Sequence, residues 1–251
     1  MAKRFNIRMA GVGGQGVGLI SLGTSGVIFV ATDGVRANPD RGVHAFCHAL
    51  PQVWHQMAVL LSASSALSWW SELTSTEPAA LMAEIESFSP DERTPLFLPY
   101  LSGERTPHAD PAATASWLGL THACTRAAMS YAVVEGVSFA FADGLEALRD
   151  AGSAPARLLA IGGAARSDRW LQLLADVLQL RIDRPAAAEV GPALGAARLA
   201  LLSLGLAREW VLTPPRIARE FRPAQGASQG RLAQRLQRFR AAYAPLRGLA
   251  P

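Results

Sequence analysis

The sequence has few cysteines and no long apolar run. Only Cys47 and Cys124 occur among 251 residues, too few for a disulfide scaffold, so we expect a reducing, cytoplasmic setting. Polar residues or glycines interrupt every apolar stretch before the roughly 18 residues that a membrane-spanning helix needs. Lys3 and Arg4 are followed by glycines rather than an apolar block, which argues against a signal peptide. Half of the residues are nevertheless hydrophobic, which excludes disorder of the whole chain and indicates one large domain or two small ones.

Acidic residues are absent from both ends of the chain. None precedes Asp33 and none follows Glu220. The arginines after that point are Arg222, Arg231, Arg235, Arg238, Arg240 and Arg247. Leu232, Leu236 and Phe239 recur among them at helical spacing, which predicts an amphipathic helix with a basic outer face. Because no aromatic residues interleave with the arginines, the pattern favours a solvated helix docked on the domain over a nucleic-acid-binding surface.

Glycine turns separate strand-like from helix-like segments along most of the chain. The predicted strands cover residues 19–21, 27–31, 53–59, 157–161 and 181–183. The predicted helices cover residues 62–73, with Ser62 as N-cap, 126–149, with Thr125 as N-cap, 167–178 and 192–204. Repeated strand–turn–helix units are typical of an α/β fold, and the hairpin at the start indicates a mixed sheet.

The first glycine-rich segment is Gly11-Val12-Gly13-Gly14-Gln15-Gly16, which fits G-x-G-x-x-G. A dinucleotide site needs a helix directly after the glycines and an acidic residue about 20 residues further on. Residues 17–21 are too short and too broken by Gly18 for that helix. Residues 4–17 also resemble the start of the gamma subunit of 2-oxoacid oxidoreductases, over a stretch that ends abruptly. An NAD-dependent oxidoreductase subunit therefore stays an alternative based on this segment alone.

Two later turns combine glycine with hydroxyl-bearing residues. Gly23-Thr24-Ser25-Gly26 would present backbone N–H groups and hydroxyls to phosphate oxygens, with an ordinary glycine-rich hairpin as the alternative. Residues 162–168 (GGAARSD) lie between a strand and a helix, where glycines allow a flat or anionic ligand to approach the backbone. Capping of the helix by Ser167 or Asp168 is the alternative for this second turn.

Seven segments between residue 19 and about residue 206 are informative when they are considered together and in order. They are 21–27, 43–54 (VHAFCHALPQVW), 96–110 (LFLPYLSGERTPHAD), 119–122, 134–136, 161–176 and 190–198 (VGPALGAAR). Ala115-x-Trp117-x-Gly119-Leu120 followed by Met129, Ala132 and Glu135 adds a signature, from which Ala128 departs because a polar residue is usual there. In this order the segments resemble the C-terminal, nucleotide-binding half of the FGGY carbohydrate kinases.

The resemblance implies an actin-like, ribonuclease-H-like ATPase domain of the α/β class, with a mixed five-stranded sheet and helices on both faces. It divides the chain into a foreign segment at 1–18, the nucleotide-binding domain at 19–210 and a basic helical extension at 211–251. It also implies binding of ATP, with Mg²⁺ carried by the nucleotide. The implied nucleotide-binding residues are Gly23, Thr24, Ser62, Ala63, Gly162, Gly163, Ala164 and Ser167.

The resemblance also implies a reaction, but the residue that would catalyse it has no counterpart in this chain. The chain is most similar to family members that phosphorylate D-xylulose to D-xylulose 5-phosphate, with another pentose or a polyol as the alternative. The family's catalytic Asp, expected shortly before the Ser21-Leu22-Gly23-Thr24 turn, has no counterpart, because no acidic residue precedes Asp33. We therefore expect a truncated or fused gene product without a catalytic residue, inactive alone.

The resemblance also implies which partners the chain would bind. The chain would bind ATP or ADP, and a sugar only together with the family's N-terminal domain; a non-catalytic nucleotide-binding fragment is the alternative. An exposed apolar surface where that domain packs would favour self-association, with a homodimer as one form. Neither a nucleic acid nor a membrane is expected as a partner.

Several other residues have side chains that could bind a metal or take part in a reaction. The histidines are His44, His48, His55, His108 and His122, and their spacing predicts no zinc site even if His44 and His48 share a helix face. Glu104 and Arg105, in a proline-rich loop, would either reach the cleft or form a surface ion pair. Cys47 and Cys124 have no catalytic context and are expected to be buried.

Overall fold

The computed structural model describes residues 17–186, 188, 191–206 and 213–247, so the glycine-rich 11–16 segment lies outside the described residues. The strands are β1 (Val17–Leu22), β2 (Gly26–Thr32), β3 (His44–Cys47), β4 (Trp54–Leu60), β5 (Leu96–Leu98), β6 (Ser116–Leu118), β7 (Arg157–Ile161), β8 (Arg181–Pro185) and β9 (Ile217–Phe221). The helices are α1 (Ser64–Thr74), α2 (Pro78–Glu86), α3 (Arg126–Asp150), α4 (Asp168–Leu178), α5 (Gly191–Ser203) and α6 (Ala227–Leu246). None of these helices combines the length and the apolar character that crossing a bilayer requires.

Seven strands form the main sheet in the order β3-β4-β2-β1-β7-β8-β9, and β5 pairs with β6 separately. The β1–β7 and β7–β8 pairs are parallel and the other pairs are antiparallel, which confirms the predicted mixed sheet. The expected count of five strands is wrong, because β3 adds to one edge and β9 to the other. Both additions pair on one side only, and β9 is largely exposed, so neither has the apolar signal of a central strand.

One face of the sheet carries most of the core. Ile20 and Leu22 of β1 point to this face, where α3 packs on β2 and β4 and also contacts α1, α2 and α4. Residues 126–150 form a helix buried on nearly all sides, capped by the Thr125 hydroxyl, which accepts from the Ala128 N–H. This cap confirms the predicted start of the helix.

The opposite face has a smaller apolar cluster. Leu19 and Ile161 pack there with Phe29 and Ala31, because alternate residues of a strand point to opposite faces. Helix α5 begins at this face, since a Cβ placed on Gly191 would lie 3.2 Å from the Ile161 side chain. Helices therefore lie on both faces, as predicted.

Two local expectations are wrong, for the cysteines and for Arg235, and the helix face considered for His44 and His48 is not formed. Cys47 is exposed rather than buried, because it ends the edge strand β3, and Cys124 is only half-buried. His44 lies on β3 and not on a helix; its ring stacks on Phe46, with the ring centroids 5.7 Å apart. Arg235 belongs to the core side of α6 rather than its basic outer face, because it pairs with the buried Glu135.

Candidate nucleotide site

The first turn, Gly23–Ser25, is held by the start of α1. The Thr24 carbonyl accepts hydrogen bonds from the N–H groups of Ala63 (3.0 Å) and Ser65 (3.2 Å). The Gly23 carbonyl accepts from the Ser64 N–H at 2.9 Å. These bonds satisfy the first amides of α1, a task usually performed by a capping side chain. The predicted N-cap role of Ser62 is therefore wrong, and α1 begins two residues later than predicted, at Ser64.

The same bonds fix the direction of the turn's own N–H groups. In a planar trans peptide the C=O and the N–H of the next residue point in opposite directions. Because the Gly23 and Thr24 carbonyls point at α1, the Thr24 and Ser25 N–H groups point away from it. Thr24 is exposed, and its hydroxyl makes no hydrogen bond to the part of the chain that the structure describes. The turn thus offers two oriented amides and a hydroxyl to an anion.

The second turn packs against the end of β1 through Gly162. This residue has a φ of +99°, and a Cβ on it would lie 2.6 Å from the Leu22 carbonyl oxygen. Its N–H donates to the Ala188 carbonyl at 3.2 Å. Only glycine combines this backbone conformation with so close an approach. The ends of β1 and β7 can therefore lie side by side, and both turns emerge at one edge of the sheet.

Helix α4 begins directly after the second turn. The Ser167 hydroxyl accepts from the Trp170 N–H at 3.1 Å, so Ser167, and not Asp168, is the N-cap. The Asp168 carboxylate pairs instead with Arg184 (2.7 Å) and Arg219. Arg184 also donates to the Arg166 carbonyl at 3.0 Å, which holds the single 3₁₀ turn between Gly163 and α4.

A cavity of about 930 Å³ lies between the two turns. Five predicted site residues line it: Gly23, Thr24, Gly163, Ala164 and Ser167. The other three lie behind it, with Ser62 and Ala63 buried at the start of α1 and Gly162 packed on Leu22. Gly163 has no neighbouring heavy atom within 4 Å of a Cβ placed on it, so the cavity reaches its backbone directly.

Sequence reasoning missed one wall of the cavity and its charges. The residues not predicted are Leu22 of β1, Ser64, Leu67 and Ser68 of α1, Pro78, Ala79, Met82, Ala83 and Glu86 of α2, and Arg166, Asp168 and Trp170. The residues of α2 recur at helical spacing, but small apolar residues on a helix resemble an ordinary core face. Arg166 is exposed and its guanidinium has no partner among the described residues.

This arrangement suits a ligand with a flat apolar part and an anionic part. The α2 wall offers apolar contacts, while the two turns and Arg166 offer hydrogen-bond donors. The acidic residues among the described cavity lining are Glu86 and Asp168, and both come after the first turn in the chain, whereas the family's catalytic Asp is expected before it. Asp33 lies beyond the far end of β2 and is paired with Arg36, which lowers the pKa of Asp33. No described group of three or more potential metal ligands is present either.

Glu104 is buried, so the surface ion pair considered for Glu104 and Arg105 is wrong. Only 1% of Glu104 is exposed. Its Oε1 accepts from the N–H groups of Leu61 (3.0 Å) and Arg105 (2.7 Å). Burial raises the pKa of this carboxyl to about 7. Glu104 does not line the cavity, but it is bonded to the segment that leads into α1.

The chain is similar to known proteins in sequence and in overall fold. A xylulose kinase of Escherichia coli (strain K12) is 45% identical over 199 residues, which cover 76% of this chain and 41% of that protein. The crystal structure of a xyloylose kinase from Brucella ovis has a TM-score of 0.89 at 42% identity and covers 97% of this chain and 50% of that one. A xylulose kinase structure from Rhodospirillum rubrum has a TM-score of 0.84 at 29% identity, over 96% of this chain and 49% of that one.

These relatives confirm the actin-like ATPase fold expected from the sequence. The chain spans about two fifths of the length of the E. coli relative and half of the solved kinase chains. Residues 18–204 match the family model described as the C-terminal domain of the FGGY family of carbohydrate kinases. The chain belongs to the FGGY family of carbohydrate kinases.

Proposed function

We propose that the chain binds ATP and ADP in the cavity between the two turns and serves as the nucleotide-binding half of a sugar kinase. The observation that carries this proposal is the contact between Gly162 and Leu22, which brings both turns to one edge of the sheet. The phosphates would lie at the Gly23–Ser25 turn, and the adenosine would lie between Gly163 and the apolar wall of α2. In this arrangement five of the eight residues predicted for the site line the cavity, Ala63 donates to the Thr24 carbonyl, Gly162 packs on Leu22, and Ser62 is buried behind them.

Mg²⁺ is proposed to arrive with the nucleotide. Of the two acidic residues that line the described cavity, Asp168 is already paired with Arg184 and Arg219. The remaining carboxylate, Glu86, cannot build an octahedral site alone, and Mg²⁺ commonly binds through substrate phosphates with few protein ligands. The ion would neutralise phosphate charge during transfer. The chain's own part is to hold the phosphates with the Thr24 and Ser25 N–H groups.

The proposed reaction is transfer of the γ-phosphoryl group of ATP to D-xylulose, giving D-xylulose 5-phosphate. Its support is the similarity to proteins named xylulose kinases, at identities of up to 45%. Another pentose or a polyol stays the alternative substrate. We further propose that the sugar and the catalytic base are held by the part of the longer relatives that this chain does not match, with residues 1–18 foreign to the family, 19–210 the binding domain and 211–251 an extension.

The test is calorimetric titration of the purified chain with ADP, Mg-ATP and NAD. Binding of both adenine nucleotides with a much weaker response to NAD is the expected result. Binding of NAD alone would overturn the proposal and favour the oxidoreductase alternative of the 11–16 segment. No binding of any nucleotide would overturn the proposed site itself.

A second experiment separates a kinase half from a non-catalytic nucleotide-binding module. The chain is mixed with the separately expressed N-terminal half of the E. coli relative, and release of ADP is measured with and without D-xylulose. Sugar-dependent ADP release that needs both pieces is the result expected for a kinase half. Nucleotide binding without any gain on mixing would favour the non-catalytic module.

A further inference from the structure

A buried carboxylate in the loop between β5 and β6 is bonded to the segment that carries the first turn. The Glu104 Oε1 accepts two main-chain hydrogen bonds, from Leu61 and Arg105, while Oε2 has no hydrogen-bond partner among the described residues. The loop is fixed at this point, because the Glu104 and Asp110 main chains exchange hydrogen bonds of 2.9 and 2.8 Å. Glu104 is thus a rigidly mounted acceptor for the Leu61 N–H.

Leu61 lies in the middle of the segment that holds the turn. On one side Leu60 pairs with Gly26, where the turn enters β2. On the other side, only two residues later, the amides of Ala63, Ser64 and Ser65 bind the carbonyls of Gly23 and Thr24. A shift of Leu61 would therefore move both attachments of the turn.

We propose that Glu104 is a positioning residue for the nucleotide site. By accepting from the Leu61 N–H it fixes residues 61–65, and these residues in turn set the direction of the Thr24 and Ser25 N–H groups. This inference rests on the proposed function in so far as a nucleotide phosphate is the anion at the turn. A buried N–H group that loses its acceptor retains the full cost of its desolvation, so the Leu61 N–H resists separation from Glu104.

Thr106 provides a matched control on the same loop. Its N–H donates to the Val59 carbonyl (3.1 Å), and its hydroxyl accepts from the Val59 N–H (2.9 Å) and donates to the Gly42 carbonyl (2.9 Å). These bonds attach the loop to the interior of β4, before the segment that holds the turn. Thr106→Val removes the two hydroxyl bonds and leaves the Glu104–Leu61 bond in place.

The experiment compares Glu104→Ala, Glu104→Gln and Thr106→Val in the 251-residue chain. Amide hydrogen exchange at Ala63, Ser64 and Ser65 is measured by NMR, and ADP affinity by calorimetry. For Glu104→Ala we expect exchange at these amides to accelerate, and the ADP Kd to rise, by about tenfold, the size expected when a buried N–H group loses its acceptor. Glu104→Gln retains a carbonyl acceptor, so it should stay within about threefold of the starting chain on both measures.

Thr106→Val should lower the melting temperature without changing either measure by more than about threefold, since it spares residues 61–65. Equal exchange at the three amides in Glu104→Ala and Thr106→Val would overturn the proposal. If Glu104→Ala does not fold, Glu104→Asp replaces it, because the shorter side chain withdraws the acceptor from Leu61 and the same pattern is expected.

The two readouts separate this inference from the proposed function. Exchange at the three amides needs no nucleotide, so it decides the role of Glu104 even if ADP does not bind. Faster exchange in Glu104→Ala together with absent ADP binding in every variant would support the positioning role and contradict the nucleotide site. Slow exchange in all variants together with normal ADP binding would contradict the positioning role of Glu104 and support the nucleotide site.

Discussion

Gly162 and Gly163 are neighbours in the chain with opposite surroundings. Gly162 is packed against the Leu22 main chain at a positive φ, so any side chain there would disturb the fold. Gly163 faces open space, and a side chain there would enter the cavity without meeting protein atoms. Gly163 is therefore the position at which the nucleotide site can be blocked while the fold stays intact.

We predict that Gly163→Val weakens ADP binding by at least about tenfold, because the branched side chain occupies space proposed for the adenosine. The melting temperature should change little. Gly34→Val is the matched control, since a Cβ on Gly34 also meets nothing within 4 Å but lies outside the cavity. Calorimetric titration of both variants is the measurement, and equal ADP affinities would show that the assigned cavity is wrong.

Glu104 also makes stability depend on pH. Burial raises its pKa from 4.5 to about 7, and the nearby charge of Asp143 adds slightly to the increase. The hydrogen bonds from the Leu61 and Arg105 N–H groups and the charge of Arg105 lower the pKa by smaller amounts. The folded state therefore binds a proton more tightly than the unfolded state. This group's contribution to the free energy of unfolding is greatest below pH ~4.5, falls as the pH rises to ~7 and is constant above. The full change is about 3 kcal/mol.

We predict that Glu104→Gln removes this dependence. The difference in the free energy of unfolding between Glu104→Gln and the starting chain should grow in favour of the variant from about pH 5 to about pH 8. Urea unfolding at several pH values is the measurement. Taking the difference at each pH cancels groups that titrate in both proteins, including His108, whose pKa burial lowers to about 4. A difference that is flat across this range would contradict the raised pKa.

At the scale of elements, α6 is attached to the core by a buried ion pair. Arg235 donates to both carboxylate oxygens of Glu135, at 2.8 and 2.6 Å, and to the carbonyls of Thr94 and Pro95. Phe239, one turn further along, is fully buried. Arg235 thus joins the terminal helix α6 to α3, although the sequence pattern predicts that the arginines of this helix face solvent.

Removing Arg235 would leave Glu135 buried without its cation. We predict that Arg235→Ala lowers the free energy of unfolding by about 3–5 kcal/mol, the usual cost of an uncompensated buried charge. Arg238→Ala, on the exposed side of the same helix, should change it by less than about 0.5 kcal/mol. Urea denaturation of the two variants provides the test. Similar losses in both would mean that helix propensity, and not the ion pair, determines how α6 is held.

At the scale of the whole molecule, the proposed nucleotide site has no acidic residue before Asp33 that could serve as the family's catalytic base. A general base contributes roughly 10²–10⁴-fold to proton transfer, and holding the acceptor in line contributes ~7–11 kcal/mol more. We predict that the chain alone releases no D-xylulose-dependent ADP above background, in an assay with a full-length xylulose kinase as positive control. Turnover within tenfold of that control would contradict this and require another base.

Helix α5 gives the molecule an exposed apolar surface. Leu194 in α5 is 36% exposed, and Leu204 and Leu206 after it are 77% and 42% exposed. We predict concentration-dependent self-association, and that Leu204→Glu reduces it. The measurement is light scattering coupled to size-exclusion chromatography. Leu73→Glu is the control, because Leu73 is 61% exposed on α1, away from this surface; an equal effect of both substitutions would place the contact elsewhere.

Part of the fold and site could be read from local patterns. The hairpin, the Thr125 and Ser167 caps and the long helix α3 depend on neighbouring residues, so short windows of sequence contain their signals. The edge strands β3 and β9 lack such signals, because they pair on one side and gain stability only from a distant partner strand. The apolar residues of α2 form a wall of the cavity only because the two turns lie opposite them, and their spacing along the chain is the same as that of an ordinary core face.

The sequence by itself determined the α/β class, the order of the central strands and main helices, and the two glycine turns, since each follows from residue type and spacing along the chain. The family came from the resemblance of seven ordered segments to its members. Only the tertiary structure decided which groups meet. It placed Gly162 on Leu22, used the Gly23 and Thr24 carbonyls to begin α1, and buried Glu104 and Arg235 where their sequence context suggested solvent. Contacts between residues 40 to 140 positions apart depend on how the sheet and helices pack, and no local pattern specifies them.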